Sequence, residues 1–289
     1  AVATSCFLCA DNQTATVSPI LPQDSLPYTV EVELADFMLP FGLHSYAFGI
    51  HDGKWLIVAG RINGLHGFGP GDNNFPPDQQ NTLVYVIDHH KKRVWTRNLQ
   101  AADSGISQEV VDTLSVTSPQ FYQSKNTLYM TGGYGVITAT GEFSTKDTLT
   151  AIDIPGLIKW AMVQTSHPAS QYIRQIHNPI FQVTGGEMTQ IGHNPTLLVF
   201  GQNFAGYYHP NTTGEYTQQI RRFTIHDDGE NLSVTIEDPF PADPYPDFHR
   251  RDLNVVPIME HRECDTKPAL MAYSGVLTLS VGGWTIPVT

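Results

Sequence analysis

The chain has 289 residues, 40% of them hydrophobic and 15% charged, with 16 Lys and Arg against 28 Asp and Glu and a formal net charge of −12. Such a length buries a sizeable core, as one large domain or two small ones. The acidic balance excludes a basic phosphate-binding face, so nucleic acid is not an expected partner. No apolar run reaches the ~20 residues that span a bilayer, and no transmembrane segment is expected.

The first residues, "AVATSCFLCADNQT", lack the basic stretch and apolar stretch of a secretory signal, and their small side chains fit the start of a mature chain. Cys6 and Cys9 have CxxC spacing, but no second CxxC completes a zinc site, and Ala10 stands where a haem-attachment His would be. The pair reads as a small disulfide ring or as two inert thiols, and Cys264 as a buried thiol. Three Asn-x-Ser/Thr sequons, at Asn12, Asn211 and Asn231, are about what chance provides and decide nothing. Residues 1–27 are therefore expected to be an N-terminal extension and 28–289 the folded domain. The alternation in "YTVEVELADFML", 28–39, predicts a strand.

From residue 44 onward a pattern recurs: extended run, tight turn, apolar pentad ending in glycine, long loop, further strand. The pentads are Leu56–Gly60, Leu128–Gly132, Leu197–Gly201 and Leu270–Ser274, the last with Gly275 one place late. Their anchors lie 72, 69 and 73 residues apart, and such regularity is the signature of a repeat architecture. The turns before them, for example His51-Asp52-Gly53-Lys54 and Asp265-Thr266-Lys267-Pro268, use residues that accept tight-turn geometry. Helical periodicity is scarce, and one or two turns are expected only within 104–114.

Each unit is thus three or four short antiparallel strands. One such sheet cannot shield both faces by itself, whereas several stacked around an axis can. The expected fold is all-β, with the pentad as an inner strand and its glycine where backbones crowd together.

Extended run, "DG", apolar strand, "GR", long loop, "VYVID" and then Trp95 together resemble the kelch repeat of kelch-type β-propellers. The copies cover about 44–95, 115–160, 176–233 and 253–289, and at ~70 residues they exceed the usual kelch length of ~50. The resemblance implies a β-propeller. It is either a four-bladed ring closed by an outer strand from 28–39, or the N-terminal part of a six- or seven-bladed ring, which the weak fourth unit and abrupt end favour. It also implies that function sits in loops on a rigid scaffold.

Three loops stand out: 61–81, rich in glycine and proline; 201–219, mixing aromatics with amides and hydroxyls; and 238–252, a proline-rich acidic connector. The candidate ligand-binding residues are Arg61, His66 and Phe68 in the first loop, and Asn203, Phe204, Tyr207, Tyr208 and His209 in the second. Some kelch propellers are copper radical oxidases that use an adjacent Tyr-His. Tyr208-His209 matches that pair only as a dipeptide, and no metal or other cofactor is expected. No GxSxG, HExxH or glycine-rich phosphate loop is present. The expected function is a non-catalytic binding module or subunit of an extracytoplasmic assembly, with a protein or carbohydrate partner. The alternatives are a secreted carbohydrate-active or copper-oxidase-like enzyme and a lectin-like sugar-binding propeller.

Overall fold

The structure, a computed structural model, describes residues 29–67, 69, 71–163, 167–192, 195–209, 212–262, 265–279 and 282–289. The chain divides into two compact units, 1–36 and 37–289. In the first, the described residues 29–36 form neither strand nor helix, and 37–39 of the second are likewise irregular. The alternation in 28–39 therefore does not become a strand over the described residues. Alternation makes a segment fit for a ladder, but only a paired neighbour satisfies its backbone groups. Cys6, Cys9, Phe68 and Cys264 lie outside the described residues.

The larger unit is mostly β, in several antiparallel sheets. Sheet A comprises β1 (Ala47–His51), β2 (Lys54–Val58), β3 (Leu83–Asp88) and β4 (Arg93–Asn98). Helix α1 (Gln108–Leu114) leads to sheet B, formed by β5 (Gln120–Ser124), β6 (Thr127–Thr131), β9 (Thr148–Asp153) and β10 (Ile173–His177). A small hairpin, β7 (Tyr134–Ile137) with β8 (Glu142–Thr145), is inserted in the middle of sheet B, and helix α2 (Ile154–Met162) precedes its last strand. Sheet C has β11 (Glu187–Gln190), β12 (Thr196–Val199), β15 (Ile220–Asp227) and β16 (Leu232–Phe240). Its inserted hairpin is β13 (Gln202–Asn203) with β14 (Glu215–Tyr216). Sheet D pairs β17 (Asn254–Arg262) with β18 (Asp265–Tyr273). A third run lies against β18, where Ala272 and Val288 exchange backbone hydrogen bonds of 2.8 and 3.1 Å. Among the described residues no helix is long and apolar enough to cross a membrane.

The pentads are apolar on both faces because each is an inner strand with a neighbour on either side. Leu128 and Met130 of β6 point into a core shared with Leu56, Val58, Val84 and both helices. Tyr129, between them, points the other way, to Phe181, Met188, Leu198 and Phe223. Val199 and Phe200 continue the stack towards Phe248, Leu253 and Ala272. Alternate side chains of one strand thus serve two different cores. Burying each such side chain contributes about 1.5–3 kcal/mol.

Trp95 and Trp160, each seven residues after an aspartate that ends a strand (Asp88 and Asp153), are not equivalent. Trp95 lies on β4, whereas Trp160 lies on α2 with its ring beneath the Arg97 guanidinium, 4.4 Å from its centroid. Asp153, the last residue of β9, accepts from the Gly156 N–H at 3.4 Å and so caps α2, with Pro155 in the first turn. The helix starts where sheet A has a strand turn.

Each pentad strand ends in two successive left-handed residues: Ala59 and Gly60, Gly132 and Gly133, Phe200 and Gly201, Ser274 and Gly275. Their shared glycine is the second of the pair. The true equivalents of Gly60 are therefore Gly133 and Gly275, one residue beyond the sequence alignment. At that position the amides of Gly60, Gly133 and Gly201 donate to the carbonyls of Val116, Val183 and Arg250, a few residues before the next sheet begins, at 2.7, 2.9 and 2.9 Å. Its carbonyl accepts from Asn81, Lys146, Thr217 and Trp284 at 3.0, 2.9, 3.0 and 2.8 Å, so the third run of sheet D begins as the others do. Arg250 anchors that run. It is 1% exposed, donates to the Ser274 and Ile286 carbonyls at 3.1 and 2.8 Å, and stacks 4.3 Å over Trp284.

Candidate functional site

The residue after each shared glycine pairs antiparallel with a residue just before the first strand of the same unit. The pairs are Arg61 with His44, Tyr134 with Thr117, Gln202 with Thr184, and Val276 with Arg251. The next residues, Ser45, Ser118, Gly185 and Asp252, are all left-handed. They link sheet to sheet: the Ser118 N–H donates to the Ser45 carbonyl at 3.1 Å, Gly185 to Ser118 at 3.1 Å, and Asp252 to Gly185 at 2.6 Å. Equivalent positions of four units thereby converge, and a cavity of about 310 Å³ opens among them.

The wall has three chemical sectors. Arg61 and Arg251 supply guanidinium groups, while Thr117, Thr184 and Gln202 supply hydroxyl and amide groups. Phe75, Tyr134, Phe204 and Tyr208 supply rings. Phe75 meets Tyr134 and Tyr208 edge to face, with centroids 5.2 and 5.4 Å apart. The rings are fixed by hydrogen bonds. Tyr134 donates its hydroxyl proton to the Gly206 carbonyl at 2.7 Å and accepts from the Tyr208 amide at 3.1 Å. Burial raises the Tyr134 phenol well above its ordinary pKa, so it is a neutral donor at physiological pH.

Loops 61–81 and 201–219 meet here. Tyr207 accepts from the Phe75 amide at 3.1 Å and donates to the Asn73 side chain. Its ring packs edge to face on Phe143, 5.1 Å away. The β7–β8 hairpin joins them through the Thr145 amide, which donates to the Phe204 carbonyl at 2.9 Å.

Arg61 is the most constrained group. It is 2% exposed, its Nη2 donates to the Gly64 carbonyl at 3.0 Å and its Nη1 to the Asn74 carbonyl, and it lies 4.0 Å over the Phe75 ring. Burial brings its pKa down to about 10, which leaves it charged at neutral pH. His44 is pulled below its ordinary value, first by burial and then by the Arg61 charge, against a smaller opposing pull from Gly64. Across the cavity, Arg251 donates to the Tyr216 hydroxyl and to Asp252, each at 3.1 Å. Among the described residues no group of three or more His, Cys, Asp or Glu is placed to hold a metal ion.

Of the residues singled out in the sequence, Arg61, His66, Phe204 and Tyr208 line this cavity. Tyr207 stands behind the wall. His209 lies outside it, 5.0 Å from the Tyr207 ring. Asn203 is in β13, its side-chain oxygen buried without a partner. Sequence reading missed His44, Phe75, Thr117, Tyr134, Thr184, Arg251 and Asp252. A signal for most of them existed, because His44-Ser45, Thr117-Ser118, Thr184-Gly185 and Arg251-Asp252 all sit at the same offset before a first strand.

Comparison with protein-family models finds no family that matches the chain, and comparison with curated proteins finds no matching relative.

Proposed function

We propose that this chain contributes successive blades of a kelch-type β-propeller and works as a non-catalytic binding module in an extracytoplasmic assembly. On this reading it takes a sugar, displayed by a partner, in the cavity where the blades meet. The observation that carries the reading is the convergence of equivalent positions from four sheets on one cavity of about 310 Å³. Its lining of rigid rings, amides, hydroxyls and guanidinium groups is a composition that binds polar ring compounds, and its size falls in the range of small-molecule sites. Support for the propeller comes from the face-to-face stacking of four-stranded antiparallel sheets and the recurring backbone link between neighbours.

A glycan array tests the reading. Replacing Tyr208 with alanine removes one ring of the wall without touching a sheet, and Tyr208→Ala is expected to weaken any glycan bound by the native chain by about tenfold, since a stacked aromatic contributes on the order of 1–2 kcal/mol. Absence of glycan binding, or binding that Tyr208→Ala leaves unchanged, would count against it. A protein partner is the second reading, favoured by Met259 and Tyr273 of sheet D, apolar side chains that are 64% and 46% exposed.

A further inference from the structure

Arg61 is a buried cation with no carboxylate partner among the described residues. Its two hydrogen bonds go to backbone carbonyls, and its Nε is buried with no partner. Taking a charge out of water is costly unless an opposite charge or a full set of hydrogen bonds offsets it. Here neither is complete. The Phe75 face contributes, but a single cation–π contact is worth only about 0.5–2 kcal/mol. The asymmetry is greater because the chain as a whole carries −12. The other described buried arginine, Arg250, has more, with carbonyls accepting from both its Nε and its Nη1.

Besides the phenols of Tyr134 and Tyr208, the ionisable groups that face the cavity are Arg61, Arg251, Asp252, His44 and His66. Arg251 and Asp252 offset each other at 3.1 Å. Among the arginines and the aspartate this leaves the Arg61 charge without a counterpart, in a cavity whose other sectors suit a polyhydroxylated ring.

We infer that the cavity selects an acidic sugar, with the carboxylate of a hexuronate-type ring set against Arg61 and the ring face against Phe204 and Tyr208. This inference rests on the sugar-binding reading above and narrows it. The carboxylate would neutralise the unpaired guanidinium, and charge-assisted contacts between guanidinium and carboxylate are the strong ones. Hydroxyl groups of the ring would meet Thr117, Thr184 and Gln202. A low-dielectric cavity with one sign of surplus charge also concentrates ligands of the opposite sign from solution.

The test is titration calorimetry of the native chain with sodium D-glucuronate, D-glucose and sodium acetate at fixed ionic strength. Glucuronate is expected to bind at least about tenfold tighter than glucose, a difference of about 1.4 kcal/mol, and acetate weakly. Arg61→Gln is expected to erase the preference, so that glucuronate and glucose bind the variant with equal affinity. Because Arg61 is buried and its substitution could prevent folding, a second measurement uses the native chain labelled with ¹⁵N-arginine. The Arg61 Nε–Hε resonance should shift with glucuronate and stay in place with glucose. Equal affinity for glucuronate and glucose, a preference that survives Arg61→Gln, or an unmoved Nε–Hε resonance would each overturn the inference. Glucose binding that Tyr208→Ala abolishes, without any preference for glucuronate, would overturn the acidic ligand alone. If neither sugar binds, the sugar-binding reading falls with it.

Discussion

Asp227→Ala is expected to lower the stability of the chain by about 3–5 kcal/mol, the usual cost of removing one partner from a buried ion pair. Asp227 and Arg174 are joined at 3.1 and 2.8 Å through Nε and Nη2, with side chains 4% and 15% exposed. Tyr129 donates to the same carboxylate at 2.9 Å, and so does the Gly229 amide at 3.1 Å. The three side chains come from β6, β10 and β15, so one carboxylate clamps sheet B to sheet C. Its loss leaves the Arg174 guanidinium without an ion-pair partner among the described residues.

The same cluster sets a pH dependence. Burial opposes ionisation of Asp227, but the hydrogen bonds from Arg174, Gly229 and Tyr129 outweigh it and hold its pKa below the ordinary aspartate range. A carboxylate with a depressed folded pKa adds stability that is present above its unfolded value and is lost as pH falls through the folded one. Urea unfolding of the native chain should therefore show a falling midpoint below about pH 4. In Asp227→Ala that component should be missing. An unfolding free energy for Asp227→Ala within about 0.5 kcal/mol of native at pH 7 would show that the clamp does not bear on stability.

Gly132→Ala is expected to cost about 3 kcal/mol. Gly132 has φ of +59°, and a Cβ there would lie 2.0 Å from the Val183 carbonyl oxygen and 2.6 Å from that of Phe181. Both are backbone atoms of the segment that leads into sheet C, so that segment itself must move. The cost combines about 1 kcal/mol for a left-handed alanine with about 1–3 kcal/mol for overpacking. Gly229→Ala is the control. Its φ is +95°, but nothing lies within 4 Å of a Cβ there, so only the backbone strain should register. Equal midpoints for the two variants would show that sheets B and C are not held as closely as described.

Much of this architecture was legible because it is written as repetition. Four apolar pentads after tight turns gave the inner strands, and alternate burial in Leu128, Tyr129 and Met130 follows from their place between two cores. The register of the glycines was less legible. Gly132 and Gly133 stand side by side, and only the backbone shows that the second of the pair carries the link to the next sheet. Helix α2 was hidden because Asp153 reads equally well as a strand end or as a helix cap.

The cavity was the least legible feature. Its residues are divided among positions 44–252 and meet only through the convergence of sheets. Arg61 was visible as the residue after a glycine, but its lack of a carboxylate partner is a property of three-dimensional neighbours. Arg251 and Asp252 sat inside a segment read as a rigid connector. The two loops that sequence composition singled out do meet, and Tyr207 is the tie between them.

Four sheets hand one backbone hydrogen bond after another across their convergence point. Amide hydrogen exchange on the native chain measures this directly at Ser118, Gly185 and Asp252. None of these three residues lies within a strand, yet their amides are predicted to exchange as slowly as those of β6 and β12, because each is bonded to the preceding sheet. Exchange at the rate of open loops at all three positions would contradict the convergence, and with it the cavity that depends on it.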